Sequence, residues 1–143
     1  YGVGVTTVVF QDDSRSTVPN GGVPTPGRRL VTEVWYPAAK NAAAAPTGQR
    51  DAALDEAGGP YPLLVYGHGF TDQRLGNGYI GRHLASHGYI VAAPDFPLTN
   101  NGAPGGPNGR DLVNQPGDMS FVVDGLLAGE PDARFAAAID EER

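Results

Sequence analysis

Tyr61–Thr71 reads YPLLVYGHGFT and carries the signal that decides the fold. Its first part, Tyr61–Tyr66, is apolar without polar alternation, which predicts a strand buried on both faces. Asn77–His87 then predicts a helix that ends at Gly88, where a left-handed residue is usual. Three apolar residues are expected on one side of that helix: Tyr79, Ile80 and Leu84. Tyr89–Ala93 is a second apolar run, so strand, helix and strand form a βαβ unit with parallel pairing.

The segments before this unit predict an antiparallel hairpin. Gly2–Phe10 is rich in Val and Thr and predicts a strand, and Leu30–Tyr36 predicts a second strand that Pro37 ends. Between them, Gln11–Arg29 is dense in Asp, Ser, Gly and Pro and is expected to be a long loop. Ala38–Gly59 is Ala-rich and without pattern, which fits a surface excursion or, in part, a short helix.

The segments after the unit predict one more amphipathic helix, Gln115–Leu127. Pro116 suits its first position and Asp118 its first turn, where the helix dipole favours an acid. Apolar residues recur at helical spacing: Met119, Val122, Val123, Leu126 and Leu127. A short helical turn is expected at Ala133–Ile139. The next element of such a fold is a parallel strand, expected after Arg143, and without it the sheet has an open apolar edge.

The predicted fold class is therefore α/β. The sheet is expected to be mostly parallel and twisted, with antiparallel strands at its N-terminal edge and helices on both faces. Residues 1–143 are interpreted as the N-terminal part of a single domain. Cleavage of the protein into two pieces near Arg143 is one hypothesis for the end of the chain, because Asp140–Arg143 is polar and has the character of an exposed loop that proteases nick.

Composition excludes several classes of partner. The formal charge is −6 and no basic patch occurs, so nucleic acid is not an expected partner. No stretch approaches the roughly 18 apolar residues of a membrane span. Cysteine is absent, which rules out disulfides and thiolate metal sites within this chain. The chain begins at Tyr1 instead of Met; a removed export signal is one explanation and deliberate truncation another, and the expected location is secreted or periplasmic.

Gly67–Thr71, which reads GHGFT, is the candidate for chemistry. Two glycines flank a histidine directly after a buried strand, and they permit unusual backbone angles and a close approach of the main chain to a ligand. A backbone N–H presented just past such a turn can be aimed at a developing negative charge, which acyl transfer requires. The plain alternative is that a glycine-rich turn is only a turn.

Four segments together resemble a known family. They are VTEVWYPA at 31–38, PLLVYGHGFT at 62–71, HLASHGYIVAAPDFP at 83–97 and QPGDMSFVVDGLL at 115–127. Their order and spacing resemble the dienelactone-hydrolase-like and platelet-activating-factor-acetylhydrolase-like branch of the α/β-hydrolases, near the cutinase-type polyester hydrolases. The resemblance implies the α/β-hydrolase fold, incomplete in this chain, and carboxylic ester hydrolysis by a serine esterase, with lipase-like or polyesterase-like substrates open.

The resemblance assigns one oxyanion-hole donor to the backbone N–H of Phe70, whose ring forms a wall of the substrate cleft. Gly69 and Thr71 flank it as substrate-binding residues. The second donor follows the nucleophile in a G-x-S-x-G elbow, which this chain lacks. None of its serines has the flanking glycines: Ser14, Ser16, Ser86 and Ser120. The Ser-His-Asp triad is therefore expected on a C-terminal segment of the same domain, and this chain alone is not expected to be active.

The implied partners are that C-terminal segment and a small-molecule or polymeric ester, and no cofactor or metal is implied. Two other functions stay open. One is a non-catalytic α/β module that binds a ligand or partner through the Phe70 turn. The other is a dienelactone-type hydrolase whose nucleophile is a cysteine on the missing segment.

Other chemistry-bearing side chains have plainer interpretations. His68 is expected to hold its loop through ring hydrogen bonds and not to act as a general base. His83 and His87 have i, i+4 spacing, as in some metal sites, but no carboxylate or Cys accompanies them in a ligand pattern. Asp95 is expected to brace the loop that follows it.

The remaining candidates are aromatic or lie in a loop. Trp35 and Tyr36 could form a substrate platform, but strand aromatics usually pack in the core or on the sheet. Phe96, Leu98 and the loop Thr99–Pro107 either border the cleft or form a rigid surface connection, and both interpretations stay open.

Overall fold

The computed structural model describes residues 1–39 and 48–142, and within them the strands form a six-stranded mixed sheet. The elements, in chain order, are β1 Gly2–Thr17, β2 Thr25–Ala38, β3 Gln49–Arg50, β4 Tyr61–Val65, α1 Gly78–Ser86, β5 Ile90–Pro94, α2 Gln115–Ala128 and β6 Ile139–Asp140. Short 3-10 helices are Glu56–Gly58, Gly109–Asn114 and Ala136–Ala138. The strand order is β3-β1-β2-β5-β4-β6.

The predicted βαβ unit is confirmed. β4 and β5 pair in parallel, with Leu63 opposite Ile90 and Val65 opposite Ala92. α1 makes the crossover between them, and Gly88 follows it with φ +90°, the left-handed conformation expected there. β2 joins this unit to the N-terminal hairpin, antiparallel to both β1 and β5. The α/β fold class with antiparallel N-terminal strands is therefore confirmed.

Helices cover both faces of the sheet. On one face α2 packs its buried Val122 and Leu126 against a core that includes Phe10, Val34 and Phe135. On the other face α1 packs on a smaller cluster of buried residues: Val5, Trp35, Ala85, Val91 and Ala93. β5 has a helix on each side and is buried throughout, as its apolar sequence predicted. β4 is only partly buried, and its Leu64 is 40% exposed, so the prediction of a strand buried on both faces is wrong for β4.

The contact face of α1 differs in part from the predicted one. Gly81 and Ala85 are its buried residues, whereas Tyr79 is 62% exposed. A Cβ at Gly81 would lie 2.4 Å from the Trp35 ring, so only glycine allows the helix to approach that side chain so closely. The prediction is confirmed for Leu84, which packs against the same cluster, and is wrong for Tyr79. The closest contact joins a large residue on the strand to small residues on the helix, which a search for large apolar residues does not find.

The long loop expected at Gln11–Arg29 is also wrong, because most of it is strand. β1 runs to Thr17 and β2 begins at Thr25, which leaves residues 18–24 as the connection. The pairing is irregular between Asp12 and Ser16. Asp, Ser and Arg occur in these strands because their side chains are satisfied by ion pairs and hydrogen bonds in the fold, as described below.

The strand expected after the last helix begins earlier than predicted. β6 pairs in parallel with β4, Ile139 opposite Tyr61, so Ile139 and Asp140 are strand and the expected helical turn shrinks to Ala136–Ala138. Beyond Pro62, the outer edge of β4 has no strand partner among the described residues. The Ala-rich stretch at 38–59 lies partly at 40–47, outside the described residues. No helix in the described part is long and apolar enough to cross a membrane.

Candidate active site

The turn at Gly67–Thr71 lies at the carboxyl end of β4, the edge of a parallel sheet where ligands usually bind. The last ladder bond joins the N–H of Tyr66 to the carbonyl of Ala92 at 2.8 Å. At Gly67 an added Cβ would lie 3.3 Å from the Phe96 ring and 3.5 Å from the sulfur of Met119. Glycine therefore lets the chain pass close to these two side chains as it leaves the sheet.

The unusual backbone angle in this turn belongs to Thr71 and not to the glycines. Thr71 has φ +69°, whereas Gly67 and Gly69 do not have positive φ, which corrects the conformational role predicted for them. A non-glycine residue in this region costs roughly 1 kcal/mol or more. The neighbouring hydrogen bonds hold it there: Thr71 N–H donates to the Thr99 carbonyl at 2.8 Å, and Asp72 N–H to the Gly69 carbonyl at 3.1 Å.

His68 is buried and hydrogen-bonds to the backbone through both ring nitrogens. Its Nε2 accepts from the N–H of Phe96 at 3.1 Å, so the ring proton is on Nδ1, which lies 2.8 Å from the carbonyl oxygen of Gly69. The ring also packs on that of Phe96, with centroids 4.9 Å apart. Because no ring nitrogen is left to take a proton from a ligand, His68 holds the loop, as the sequence predicted.

Phe70 is the exposed member of the turn. Its side chain is 48% exposed. Its backbone N–H, like that of Gly69, meets no acceptor among the described residues, whereas the N–H groups of Thr71 and Asp72 are both occupied. The ring lies near Gly109, where an added Cβ would be 3.9 Å from the Phe70 Cε2 atom. The turn thus presents an unpaired N–H beside an exposed aromatic ring.

Asp95 braces the chain that leads into α1. Its Oδ1 accepts from the N–H of Arg74 at 2.6 Å, and its Oδ2 pairs with the guanidinium of Arg74. The Nε of Arg74 also lies 3.6 Å from the buried Glu33, which accepts from Thr7 at 2.8 Å. Asp95 is therefore structural. It was expected to brace the loop that follows it, but it fixes the loop that precedes α1.

The loop after β5 is a packed connection. Phe96 and Leu98 are fully buried and so do not border an open cleft, and the Thr99 carbonyl holds the Thr71 N–H. Further along, Asn20 Nδ2 in the β1–β2 connection donates to the carbonyls of Gly106 and Pro107, both at 3.0 Å. Of the two interpretations of this loop, the structure favours the rigid connection.

A buried arginine cluster was missed from the sequence. Arg28 in β2 makes paired hydrogen bonds to Asp118 at 2.7 and 2.7 Å and to Asp111 at 3.0 and 2.8 Å. Burial lowers the pKa of Arg28, but the bonds to Asp118 and Asp111 outweigh burial and raise it. Asp118 thus acts as a buried ion-pair partner as well as a first-turn acid. The sequence offered little to predict this cluster, because Arg28 lies in a segment that was interpreted as a loop.

A second arginine extends this cluster to β1. Arg15 lies 2.8 Å from Asp118 and donates to Asp12 at 2.5 Å. Burial raises the pKa of Asp12, but hydrogen bonds from Ser14 and Arg15 outweigh burial and hold the pKa below its ordinary value. The polar residues of the hairpin therefore join β1 and β2 to the start of α2.

The other histidines lie at the exposed C-terminal end of α1. The Nδ1 of His87 lies 2.8 Å from the carbonyl of His83 and 3.0 Å from Ser86 Oγ. Ser86 Oγ also donates to the His83 carbonyl at 2.7 Å, so its contact with His87 is a local helix-end bond and has no carboxylate behind it. Within residues 1–39 and 48–142 no group of three potential metal ligands occurs.

The strand aromatics are core residues, as predicted. Trp35 is buried beneath α1. Tyr36 packs edge-on against Phe135 and donates its hydroxyl hydrogen to the Ala52 carbonyl at 2.8 Å. Neither forms an open platform for a ligand.

Comparisons with known proteins agree with this arrangement. The family model of platelet-activating factor acetylhydrolase, isoform II, matches residues 28–97, slightly under half of the chain, including the Phe70 turn. The fold is similar to that of a ferulic acid esterase from Streptomyces cinnamoneus, with a TM-score of 0.65 and 25% identity over 86% of this chain. The chain spans 46% of that esterase. No curated protein sequence matches significantly. The chain thus has an α/β-hydrolase-like fold and is similar to esterases of that superfamily.

Proposed function

We propose that this chain supplies the Phe70 half of the oxyanion hole in a carboxylic ester hydrolase. The observation that carries the proposal is the unpaired N–H of Phe70 at the carboxyl end of β4. The turn around it is fixed through His68 and Thr71, so the donor needs little reorganisation when charge develops. A donor fixed in advance is what the tetrahedral intermediate of acyl transfer requires.

The rest of the catalytic machinery is proposed to come from a C-terminal segment of the same domain. There a serine attacks the ester carbonyl, a histidine takes the serine proton and passes it to the leaving alcohol, and an aspartate orients the histidine. The oxyanion is held by Phe70 N–H and by the N–H that follows the serine. Water then hydrolyses the acyl-serine. This chemistry needs no cofactor.

The substrate is proposed to be an ester with an apolar group that lies against the Phe70 ring. The half-exposed ring offers a flat apolar surface next to the donor. The name of the structurally similar ferulic acid esterase, which describes an ester of an aromatic acid, supports an aromatic group. Both small and polymeric esters fit this description.

Active-site labelling of the full-length gene product tests the proposal. A fluorophosphonate probe followed by peptide mass spectrometry is expected to label one serine outside residues 1–143 and to abolish ester hydrolysis. Labelling of a cysteine would support a dienelactone-type enzyme instead. A protein that takes no label and hydrolyses no ester would contradict the proposal and favour a binding module.

A further inference from the structure

The 3-10 helix Gly109–Asn114 lies next to the Phe70 turn and has two distinct faces. In a 3-10 helix, residues three apart lie directly above one another. Asp111 and Asn114 share the inner face, where Asn114 Nδ2 donates to Asp111 Oδ1 at 2.6 Å. Gly109 and Leu112 therefore share another face. A Cβ at Gly109 would lie 3.9 Å from Phe70 Cε2, so this second face is the one beside the ring.

Leu112 is the apolar side chain on the face beside Phe70. It is 45% exposed, close to the exposure of Phe70 itself, whereas Gly109 has no side chain to fill the space between them. Val113, the next residue, is 82% exposed and belongs to the third face of the same helix. The Phe70 turn and this helix thus present one aromatic and one aliphatic side chain, both about half exposed, and Gly109 lies next to the aromatic ring.

The inner face of this helix is fixed by the buried Arg28. Two bonds of Arg28 hold Asp111, and two more hold Asp118 in the first turn of α2, so one side chain ties together both elements at this end of the sheet. A planar guanidinium that binds two carboxylates in pairs sets their separation more strictly than a lysine does. The position of Leu112 relative to Phe70 thus depends on Arg28.

We propose that Leu112 is the second wall of the substrate slot, opposite Phe70, and that Arg28 is the positioning residue that sets the slot width. The inference rests on the proposed ester hydrolysis and narrows its substrate class to esters with a flat apolar group, such as an aromatic acid. A small acyl group does not reach both walls. Leu112 and Arg28 therefore select among esters without taking part in the bond-making steps.

The test compares two esters in the full-length protein, ethyl acetate and ethyl cinnamate. Leu112→Ala is expected to raise KM for ethyl cinnamate roughly tenfold, the effect of losing a few methyl or methylene contacts, and to change ethyl acetate less than about twofold. Val113→Ala is the matched control, because it removes a more exposed side chain from a different face of the same helix. It is expected to leave both substrates unchanged.

Arg28→Lys tests the positioning role. This change keeps the positive charge but loses the paired hydrogen bonds to the two carboxylates. The ratio of kcat/KM for ethyl cinnamate to that for ethyl acetate is therefore expected to fall, as in Leu112→Ala. The kcat for ethyl acetate is expected to stay the same. Arg134→Lys is its control, since Arg134 pairs with Asp132 and Asp51 away from the Phe70 turn. Should Arg28→Lys not fold, Asp111→Asn, which weakens the same anchor, is expected to lower the same preference.

The outcomes separate the two proposals. Equal KM values for ethyl cinnamate in Leu112→Ala and Val113→Ala would overturn the role of Leu112. An unchanged preference in a folded Arg28→Lys or Asp111→Asn protein would overturn the positioning role. A wild-type protein that hydrolyses neither ester, nor any other tried, would overturn the proposed function and this inference with it.

Discussion

Two residues of the Phe70 turn, His68 and Thr71, show how side chain and backbone keep one N–H free. His68 bonds to the backbone on both sides of its ring, and Thr71 accepts a strained angle because its own N–H is bonded to Thr99. The sequence predicted the histidine's role, since a histidine between two glycines after a buried strand is well placed to hold a turn. It did not predict the strain at Thr71, which depends on the distant residue Thr99.

A substitution at His68 tests its structural role. His68→Ala leaves the buried N–H of Phe96 without a partner and removes one of the two hydrogen bonds to the Gly69 carbonyl, so the free energy of unfolding is expected to fall by about 2–3 kcal/mol. His83→Ala, which changes an exposed histidine, is the control and is expected to stay within about 0.5 kcal/mol. Urea unfolding of the full-length variants measures both. An unchanged stability in His68→Ala would show that the two ring bonds do not hold the turn.

The raised pKa of Tyr61 predicts that the protein loses stability at alkaline pH. Burial, with a smaller contribution from Asp55, raises the pKa of Tyr61 to about 12 from 10.0. The unfolded chain therefore loses this proton first, so the stabilisation is complete below pH 10 and falls by about 2–3 kcal/mol as pH rises from 10 to 12. Tyr61→Phe is expected to flatten this slope in pH-dependent unfolding. Part of the pH dependence should remain in Tyr61→Phe, because burial also raises the pKa of Tyr36. An equally steep loss in Tyr61→Phe would assign the slope to other groups.

At the scale of elements, the hairpin β1–β2 shows where local sequence signals fail. Asp, Ser and Gly between two apolar runs normally mark a loop, and the sequence was interpreted in that way. In the structure these residues are strand, and Arg28 and Arg15 both pair with Asp118, which lies 90 residues after Arg28 and still further from Arg15. No local window contains both partners. The βαβ unit was predicted because its two apolar runs and the helix between them are visible in the local sequence, although only β5 is buried on both faces.

The Arg28 cluster predicts a large loss of stability when one partner is removed. Arg28→Met leaves two buried carboxylates without their main counter-charge, which typically costs about 3–5 kcal/mol. Arg134→Met breaks a more exposed ion pair with Asp132 and a hydrogen bond to the Tyr36 hydroxyl, and is expected to cost only about 1–2 kcal/mol. Chemical unfolding of the two variants gives the comparison. Equal losses would mean that the buried cluster is no more important to the fold than the partly exposed contacts of Arg134.

At the scale of the whole molecule, the sequence predicted the sheet and the location of the candidate site, but not all of its surroundings. The order of strand, glycine turn, helix and strand was enough to place Phe70 at the carboxyl end of β4. The neighbouring wall at Leu112 was missed, because the sequence shows Gly109–Asn114 only as the lead into a helix. That helix is anchored to Arg28 through Asp111, a tertiary contact that no local pattern in the sequence shows.

The outer edge of β4 predicts how residues 1–143 behave on their own. Leu63–Val65 have no strand partner on that side among the described residues, and Leu64 is exposed. We expect the isolated chain to self-associate through this edge and to melt without a cooperative transition. Leu64→Lys should reduce the association, whereas Val113→Lys, away from the edge, should not. Size-exclusion chromatography with light scattering gives the result. A monodisperse monomer with a sharp melting transition would contradict the expectation.

The most direct measurement of the central claim is the rate of ester hydrolysis when the Phe70 N–H is deleted. In the full-length protein, Phe70→Ala keeps the donor and loses the ring, whereas Phe70→Pro loses both. On ethyl acetate, which barely touches the ring, Phe70→Pro is expected to lower kcat roughly 10²–10³-fold relative to Phe70→Ala. Because proline also restricts Gly69, an amide-to-ester exchange at the Phe70 N–H, which keeps the ring, should reproduce the loss. Equal kcat values in all three proteins, with the turn intact in each, would contradict the role of Phe70 as an oxyanion donor.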